Sequence, residues 1–115
     1  MSINNSTFSG NTATDGGAIY DSPGGTTIIY PQMAISGCSF SGNSAANGGA
    51  VYLDFNTTSV TISNSSFVNN TPTQQGGAIF SSGSDQPTVT QDKFSGNTPN
   101  NIYGLYIDGG GNSGL

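Results

Sequence analysis

Four copies of the phrase Phe-x-x-Asn organise this chain, and the first three are followed by Gly-Gly-Ala and a branched aliphatic residue. Successive phenylalanines lie 32, 27 and 27 residues apart. A recurrence in this range is typical of stacked-repeat proteins, in which each repeat is one structural unit. The four copies of Phe-x-x-Asn run from Phe8 to Asn11, Phe40 to Asn43, Phe67 to Asn70 and Phe94 to Asn97. The glycine pairs are Gly16 and Gly17, Gly48 and Gly49, and Gly76 and Gly77.

Other apolar residues keep a constant offset from these phrases. One precedes each phenylalanine by five residues, and another follows the first three phenylalanines by eleven or twelve. Short β-prone runs between Gly, Asn, Ser and Pro, such as residues 26–30, 59–62 and 87–90, read as strands and turns. The apolar positions are Ile3, Ile35, Ile62 and Val89, and then Ile19, Val51 and Ile79.

Three short strands in a repeat of this length describe one coil of a parallel β-solenoid, with neighbouring coils about 4.8 Å apart. The sequence therefore predicts an all-β fold of about four coils with three short strands each. We expect one solenoid domain over residues 1–106 and a Gly-rich tail over residues 107–115.

Each recurring residue receives a structural role. The phenylalanines are expected to form an internal stack. The asparagines are expected to occupy a tight corner, because Asn tolerates positive φ, and to form side-chain ladders. The glycine pairs let the chain turn and approach its neighbour closely. Cys38, two residues before Phe40, is read as a small buried thiol.

The strand after Gly-Gly-Ala has two faces, and the pattern permits either the aliphatic or the aromatic set inside. We favour the aliphatic set inside, which leaves an exposed aromatic stripe as a candidate contact surface. The fourth copy lacks Gly-Gly-Ala, and counting eleven residues from Phe94 reaches Leu105, with Tyr106 beside it. The candidate stripe is Tyr20, Tyr52, Phe80 and Tyr106.

Composition excludes several functions. Only 6% of the residues are charged, with a single Lys or Arg and no His, so clustered cations for nucleic acid or anionic membranes are missing. No apolar stretch is long enough to span a membrane, and the N-terminus has no signal-peptide pattern. The aspartates are scattered, and we expect no catalytic, cofactor or metal site.

The paired phrases resemble the repeats of the chlamydial polymorphic outer membrane proteins and of related bacterial proteins that are right-handed parallel β-helices. The resemblance covers roughly residues 2–106. It implies a right-handed parallel β-helix that is surface-exposed or secreted and acts in adhesion. It implies no catalytic residues. Unlike those proteins, this sequence shows neither a signal peptide nor a C-terminal membrane barrel.

The sequence thus predicts a non-catalytic structural or adhesive module, extracellular or at the cell surface. Its expected partner is itself, end to end or laterally, or a host or matrix surface. No cap is evident at either end, so end-to-end stacking into a fibre is one form of this hypothesis.

Two alternatives stay open. One is a polysaccharide-degrading enzyme, for which Asp21 and Asp54 are the best-placed carboxylates. The other is recognition of a glycan or of ice by a flat threonine-rich face. The unequal loops that follow each Gly-Gly-Ala strand are of the kind that projects on the binding face of solenoids. The candidate threonines are Thr26, Thr27, Thr57, Thr58, Thr61, Thr88 and Thr90.

Overall fold

The regular elements of the computed structural model, which describes residues 1–21, 32–54, 59–82 and 86–115, are all β-strands. Numbered in chain order they are β1 (Ser2–Asn4), β2 (Thr7–Ser9), β3 (Ile19–Asp21), β4 (Gln32–Ser36), β5 (Ser39–Ser41), β6 (Ser44–Asn47), β7 (Val51–Leu53), β8 (Ser59–Ser63), β9 (Ser66–Val68), β10 (Thr71–Gln75), β11 (Ile79–Ser81), β12 (Thr88–Thr90), β13 (Lys93–Ser95), β14 (Ile102–Tyr103) and β15 (Ile107–Asp108).

The strands stack into parallel sheets that form the walls of a column. The first wall has the order β1-β4-β8-β12-β15, the second β13-β9-β5-β2 and the third β14-β11-β7-β3. A short fourth wall pairs β10 with β6 and is continued to the first coil by isolated bridges at Thr12 and Asp15. The first coil contains β1–β3, the second β4–β7, the third β8–β11 and the fourth β12–β14.

The pairing register follows the sequence repeat. Phe8 lies opposite Phe40, and Phe67 lies opposite both Phe40 and Phe94. Because equivalent residues of successive coils are neighbours, the side-chain pattern of one coil repeats along the column. The predicted parallel β-solenoid of about four coils is confirmed, with the short fourth wall added to the expected three strands per coil.

The core is one narrow column of stacked apolar side chains. The inward residues of the first wall meet the phenylalanines of the second and the aliphatic residues of the third. Placing the aliphatic residue of the third wall inside was correct, since Val51 and Ile79 are fully buried and the aromatic residue after each faces outward.

The Gly-rich tail continues the column. β15 pairs in parallel with β12, and Ser113 forms a bridge to Lys93. The sequence pattern separates residues 107–115 from the solenoid because they lack both repeat phrases. Backbone pairing needs neither phrase, so these residues add a partial fifth coil beyond position 106.

The corner after the second wall differs from the prediction for the asparagines. The residue before each of them has positive φ, at 65° for Gly10, 62° for Gly42, 54° for Asn69 and 66° for Gly96. The repeated asparagines themselves are absent from the positive-φ residues. The turn belongs to the third residue of Phe-x-x-Asn, where glycine carries no steric cost, and the asparagine side chain is left for hydrogen bonding.

Candidate functional surfaces

The phenylalanines at the second wall form a continuous internal stack, which we call the Phe stack. Neighbouring ring centroids are 5.0, 4.8 and 5.1 Å apart, with interplanar angles of 6°, 4° and 7°. Phe40 and Phe67 are fully buried, whereas Phe8, at the start of the column, is only partly buried. The rings therefore hold adjacent coils together and offer no platform to a ligand.

The repeated asparagines form a hydrogen-bonded ladder, which we call the Asn ladder. The backbone N–H and the Nδ2 of Asn43 both donate to Oδ1 of Asn70, each at 3.0 Å. Asn70 repeats these bonds to Asn97, and its Nδ2 also donates to the Phe40 carbonyl. Asn43 and Asn70 are fully buried. The ladder satisfies the backbone where the coil leaves the second wall.

The glycine pairs serve two separate needs. The first glycine of each pair has positive φ, as at Gly48, where φ is 61°. The second has an ordinary φ but lies against the carbonyl of the next coil, so a side chain on Gly49 would overlap the Gly77 oxygen. The pair is thus required wherever another coil is stacked above it.

A second aromatic column, which we call the outer aromatic stack, runs along the third wall. It consists of Tyr20, Tyr52, Phe80 and Tyr103, with ring centroids 5.0, 4.9 and 5.3 Å apart. The sequence count that placed Tyr106 in this column was wrong, because Phe80 pairs with Tyr103. Asn100 and Asn101 replace Gly-Gly-Ala in the fourth coil. Only two residues separate Asn97 from Asn100, where five separate Asn70 from Gly76, so this coil reaches the third wall sooner.

The geometry of the outer aromatic stack limits its use as a binding surface. Each inner ring is covered on both faces by its neighbours, so mainly ring edges reach solvent. Only the end residues are strongly exposed, Tyr20 at 55% and Tyr103 at 40%. Burial raises the pKa of the Tyr52 phenol. A hydrogen bond with Ser82 lowers this pKa, and the charges of Asp54 and Asp15 raise it. Stacked rings of this kind stabilise a sheet by about 1 kcal/mol per pair.

A second polar ladder follows the corner between the first and second walls. The Cys38 N–H donates to Oγ of Ser65 at 3.2 Å, and the Ser65 N–H donates to Oδ1 of Asp92 at 2.7 Å. The Asp92 N–H then donates to Oδ1 of Asn112 at 2.8 Å. Cys38 is buried, as the sequence predicted. Sequence reasoning missed Asn112, because it follows Asp92 by 20 residues and so falls outside the 27-residue step of the preceding copies.

Asp92 places a carboxyl group inside this ladder. Its side chain is fully buried and accepts N–H bonds from Ser65 and Thr90. Burial raises the pKa of Asp92 from 3.8 to about 6, and the two hydrogen bonds act in the opposite direction. The ionised carboxylate is thus disfavoured in the folded chain relative to the unfolded one.

We expect the stability of the protein to fall as the pH rises through about 6. The pKa of Asp92 is higher in the folded state, so the folded chain holds this proton more tightly, and losing it costs stability. As the pH rises from about 4 to about 7.5, deprotonation of Asp92 should lower the free energy of unfolding by roughly 2–3 kcal/mol. Urea unfolding at several pH values measures this decrease.

The matched variant is Asp92→Asn, because Asn112 already occupies the equivalent place in the fifth coil and donates to the Val89 carbonyl. Asp92→Asn should be more stable than the parent at about pH 7.5 and should lose this part of the pH dependence. Equal pH dependence in both proteins would show that the Asp92 carboxyl is not the cause.

The two carboxylates proposed for catalysis do not form a pair across the third wall. Asp21 lies opposite Leu53, a buried residue, and so points inward at the start of the column. Its Oδ2 is buried and finds no partner among the described residues. Asp54 lies one residue beyond Leu53, and its Oδ1 accepts a bond from Ser82 at 3.2 Å. Alternation along the strand directs the two side chains to opposite faces.

The outer face of the first wall is flat and lined by small polar side chains. Thr61 lies opposite Thr88 and Ser63 opposite Thr90, whereas Ala34 interrupts the first of these columns. At the start of this wall is a shallow depression of about 290 Å³ that is bordered by Ser2, Gln32, Met33, Ser59 and Thr61, among others. The other threonines predicted for this face lie at 26, 27, 57 and 58, outside the described residues.

The comparison with protein families decides the identity of the fold. The family described as "right handed beta helix region" matches residues 1–114. The chain belongs to this right-handed β-helix family. No curated protein and no solved structure matches it. The family assignment agrees with the stacked parallel sheets, and it does not extend to the narrower resemblance to chlamydial repeats.

The described residues of this right-handed β-helix contain neither a metal-ligand cluster nor a membrane-spanning helix. Within residues 1–21, 32–54, 59–82 and 86–115, no group of three or more potential metal-ligating side chains is present. In the same ranges no helix is long and apolar enough to cross a membrane. The loops that follow the Gly-Gly-Ala strands lie wholly or partly in the undescribed segments 22–31, 55–58 and 83–85.

Proposed function

We propose that this β-helix is a non-catalytic structural module that serves at the cell surface or outside the cell in adhesion. The observation that carries the proposal is the use of its recurring residues. The Phe stack, the Asn ladder and the glycine pairs are all committed to contacts between coils. A chain built in this way provides a rigid column whose outer surface is free for contact.

The surface supports the same proposal. The outward residues of the first and second walls are mainly Ser and Thr, as in β5, where Ser39 and Ser41 flank Phe40. Few charges and many hydroxyl and amide groups suit a module exposed to water without a strong electrostatic preference. The opposed directions of Asp21 and Asp54 argue against the two-carboxylate arrangement that glycoside hydrolysis requires.

The proposal is tested with the purified chain in two assays. One measures turnover on a panel of acidic and neutral polysaccharides, and the other measures retention of chain-coated beads on cells and extracellular matrix. We expect no turnover and measurable retention. Turnover that disappears in Asp21→Asn or Asp54→Asn would contradict the proposal and favour the enzyme.

Glycan binding is the second candidate, because the depression at the start of the first wall is bordered by hydroxyl and amide groups. Such groups can hydrogen-bond sugar hydroxyls, although an exposed aromatic face is missing there among the described residues. A glycan array is the test. Thr61→Lys should abolish a signal that arises in this depression, and Thr73→Lys, an exposed change on the short wall, is the matched control.

A further inference from the structure

The outer aromatic stack brings two phenols together at one place along its length. Tyr20 lies opposite Tyr52, whereas Phe80 separates Tyr52 from Tyr103. Of the residues that the structure describes, no other two tyrosine rings are in contact. The register between the first and second coils therefore singles out one tyrosine pair on the third wall.

The rings of this pair are held close to each other. Their centroids are 5.0 Å apart and their planes are inclined by 22°, the largest inclination in either aromatic stack. Because the planes are inclined, one side of each ring lies nearer to its neighbour than the centroid distance indicates. A reaction between two groups held in this way is effectively unimolecular. The pair is thus placed to react within one chain faster than two separate chains can react.

Both rings point outward from the side of the column. Ile19 and Val51 are buried, and the tyrosine after each lies on the opposite face of its strand. Tyr20 is exposed, and Tyr52 is half-buried although a ring covers each of its faces. The outward edge of a tyrosine ring carries the hydroxyl group and the two ortho carbons beside it. A reagent can therefore reach the reactive edge of each ring from the side of the column.

Tyr52 also has an acceptor for its proton, which a phenol loses together with an electron when it is oxidised to a neutral radical. Tyr52 is protonated at neutral pH, since burial raises its pKa above the ordinary value of about 10. It shares a hydrogen bond with Ser82, whose Oγ lies 3.2 Å from Oδ1 of Asp54. The Asp54 carboxylate can accept the proton through the Ser82 hydroxyl. Tyr20 is exposed and can release its proton to water.

We propose that Tyr20 and Tyr52 form a modification site, at which a peroxide-dependent one-electron oxidant joins the first coil to the second by a dityrosine bond. Each phenol loses one electron and one proton, which leaves a radical shared between the oxygen and the ortho carbons. The two radicals form a carbon–carbon bond between ortho positions, and the hydrogen on each of these carbons moves to the oxygen of its own ring. Hydrogen peroxide takes up the two electrons and two protons and becomes two molecules of water.

The cross-link requires a small movement of the rings, since two rings that share a bond cannot stay stacked face to face. Surface side chains change rotamer on the picosecond to nanosecond timescale, so Tyr20 can turn an ortho carbon toward Tyr52. The product closes a loop from the first coil to the second, which restricts the unfolded chain. This inference goes beyond the adhesive role and does not rest on it.

The unmodified chain is treated with hydrogen peroxide and a haem peroxidase at two protein concentrations that differ by about fiftyfold. Mass spectrometry after digestion should find a peptide containing Tyr20 joined to one containing Tyr52, with two hydrogen atoms lost. The product should be a single chain on a denaturing gel, with the same yield at both concentrations. Free tyrosine, which dimerises under these conditions, shows that the oxidant is active. The absence of a Tyr20–Tyr52 product, or a yield that falls on dilution, would overturn the proposal.

Tyr52→Phe removes one phenol and keeps the stack, because phenylalanine already occupies the equivalent position at Phe80. The yield of single-chain cross-link should fall at least about tenfold. Tyr103→Phe is the matched control, since Tyr103 stacks on Phe80 and on no tyrosine among the described residues. It should keep the yield of the parent. An undiminished product in Tyr52→Phe, or a reduced one in Tyr103→Phe, would contradict the assignment of the pair.

Moving the pair along the column tests the register itself. Tyr20→Phe combined with Phe80→Tyr removes the proposed pair and places a phenol between Tyr52 and Tyr103, at centroid distances of 4.9 and 5.3 Å in the parent. The double variant should recover a single-chain product that joins position 80 to one of these two neighbours, whereas Tyr20→Phe alone should give none. Failure to recover it, in a variant with the circular dichroism spectrum of the parent, would show that stacking register does not decide the reaction.

Discussion

Replacing Gly49 by alanine should destabilise the protein by at least about 3 kcal/mol, and the variant should be largely unfolded if the parent is marginally stable. An added Cβ would overlap the Gly77 carbonyl oxygen of the next coil and crowd the Thr71 nitrogen. Both are backbone atoms held in ladders, so neither can move without separating two coils. Urea unfolding followed by circular dichroism measures the loss.

Gly10→Ala is the matched control for this substitution. Gly10 has a φ of 65°, but nothing lies within 4 Å of where its Cβ would be. Its cost should therefore be the backbone strain alone, about 1 kcal/mol. A Gly49→Ala loss no greater than that of Gly10→Ala would show that the coils can separate slightly, contrary to the close contact described above.

Asn70→Ala should cost about 3–5 kcal/mol, because it breaks the Asn ladder at its buried centre. The side chain of Asn70 accepts two bonds from Asn43 and donates to Asn97 and to the Phe40 carbonyl. Alanine would leave several buried donors and acceptors without partners, and each such group costs about 1–3 kcal/mol. Chemical unfolding gives the free energy directly.

Asn11→Ala tests the same ladder at its exposed end. Asn11 donates from Nδ2 to Asn43, and its backbone N–H bond to the same oxygen survives the substitution. We expect a loss of about 1 kcal/mol or less, since water can reach the groups left behind. Similar losses at Asn11 and Asn70 would mean that burial does not set the strength of the ladder.

The repeat made most of the fold predictable. A parallel column repeats each residue type along its axis, so a fixed offset in sequence becomes direct contact in space. From the sequence offsets alone, that rule pairs Ile35 with Ile62, Phe40 with Phe67 and Val51 with Ile79, and the register agrees at each position. Local pattern sufficed because the neighbours are set by the period.

The prediction failed where the period changes. The fourth coil is shorter between Asn97 and Asn100 and has two residues in place of Gly-Gly-Ala, so a count based on earlier coils selected Tyr106 in place of Tyr103. The corner was also assigned to the asparagine when the preceding residue makes the turn. Asn is compatible with either role, and only the backbone path shows which one it takes.

The candidate surfaces depended still more on the tertiary structure. The repeat pattern predicted an exposed aromatic stripe, but only the stacking of the rings shows that mainly their edges are available. The pattern also made Asp21 and Asp54 neighbours, but the register turns them to opposite faces.

The sequence by itself determined the architecture of this protein, because stacking is the simplest way for four repeats with fixed apolar offsets to bury their apolar residues. Only the tertiary structure placed the tail. The tail from Ile107 to Leu115 lacks the repeat phrases, and its place as a partial fifth coil depends on backbone pairing with β12 and Lys93. Backbone hydrogen bonds are common to all residues, so they leave no mark in the sequence from which this coil could be predicted.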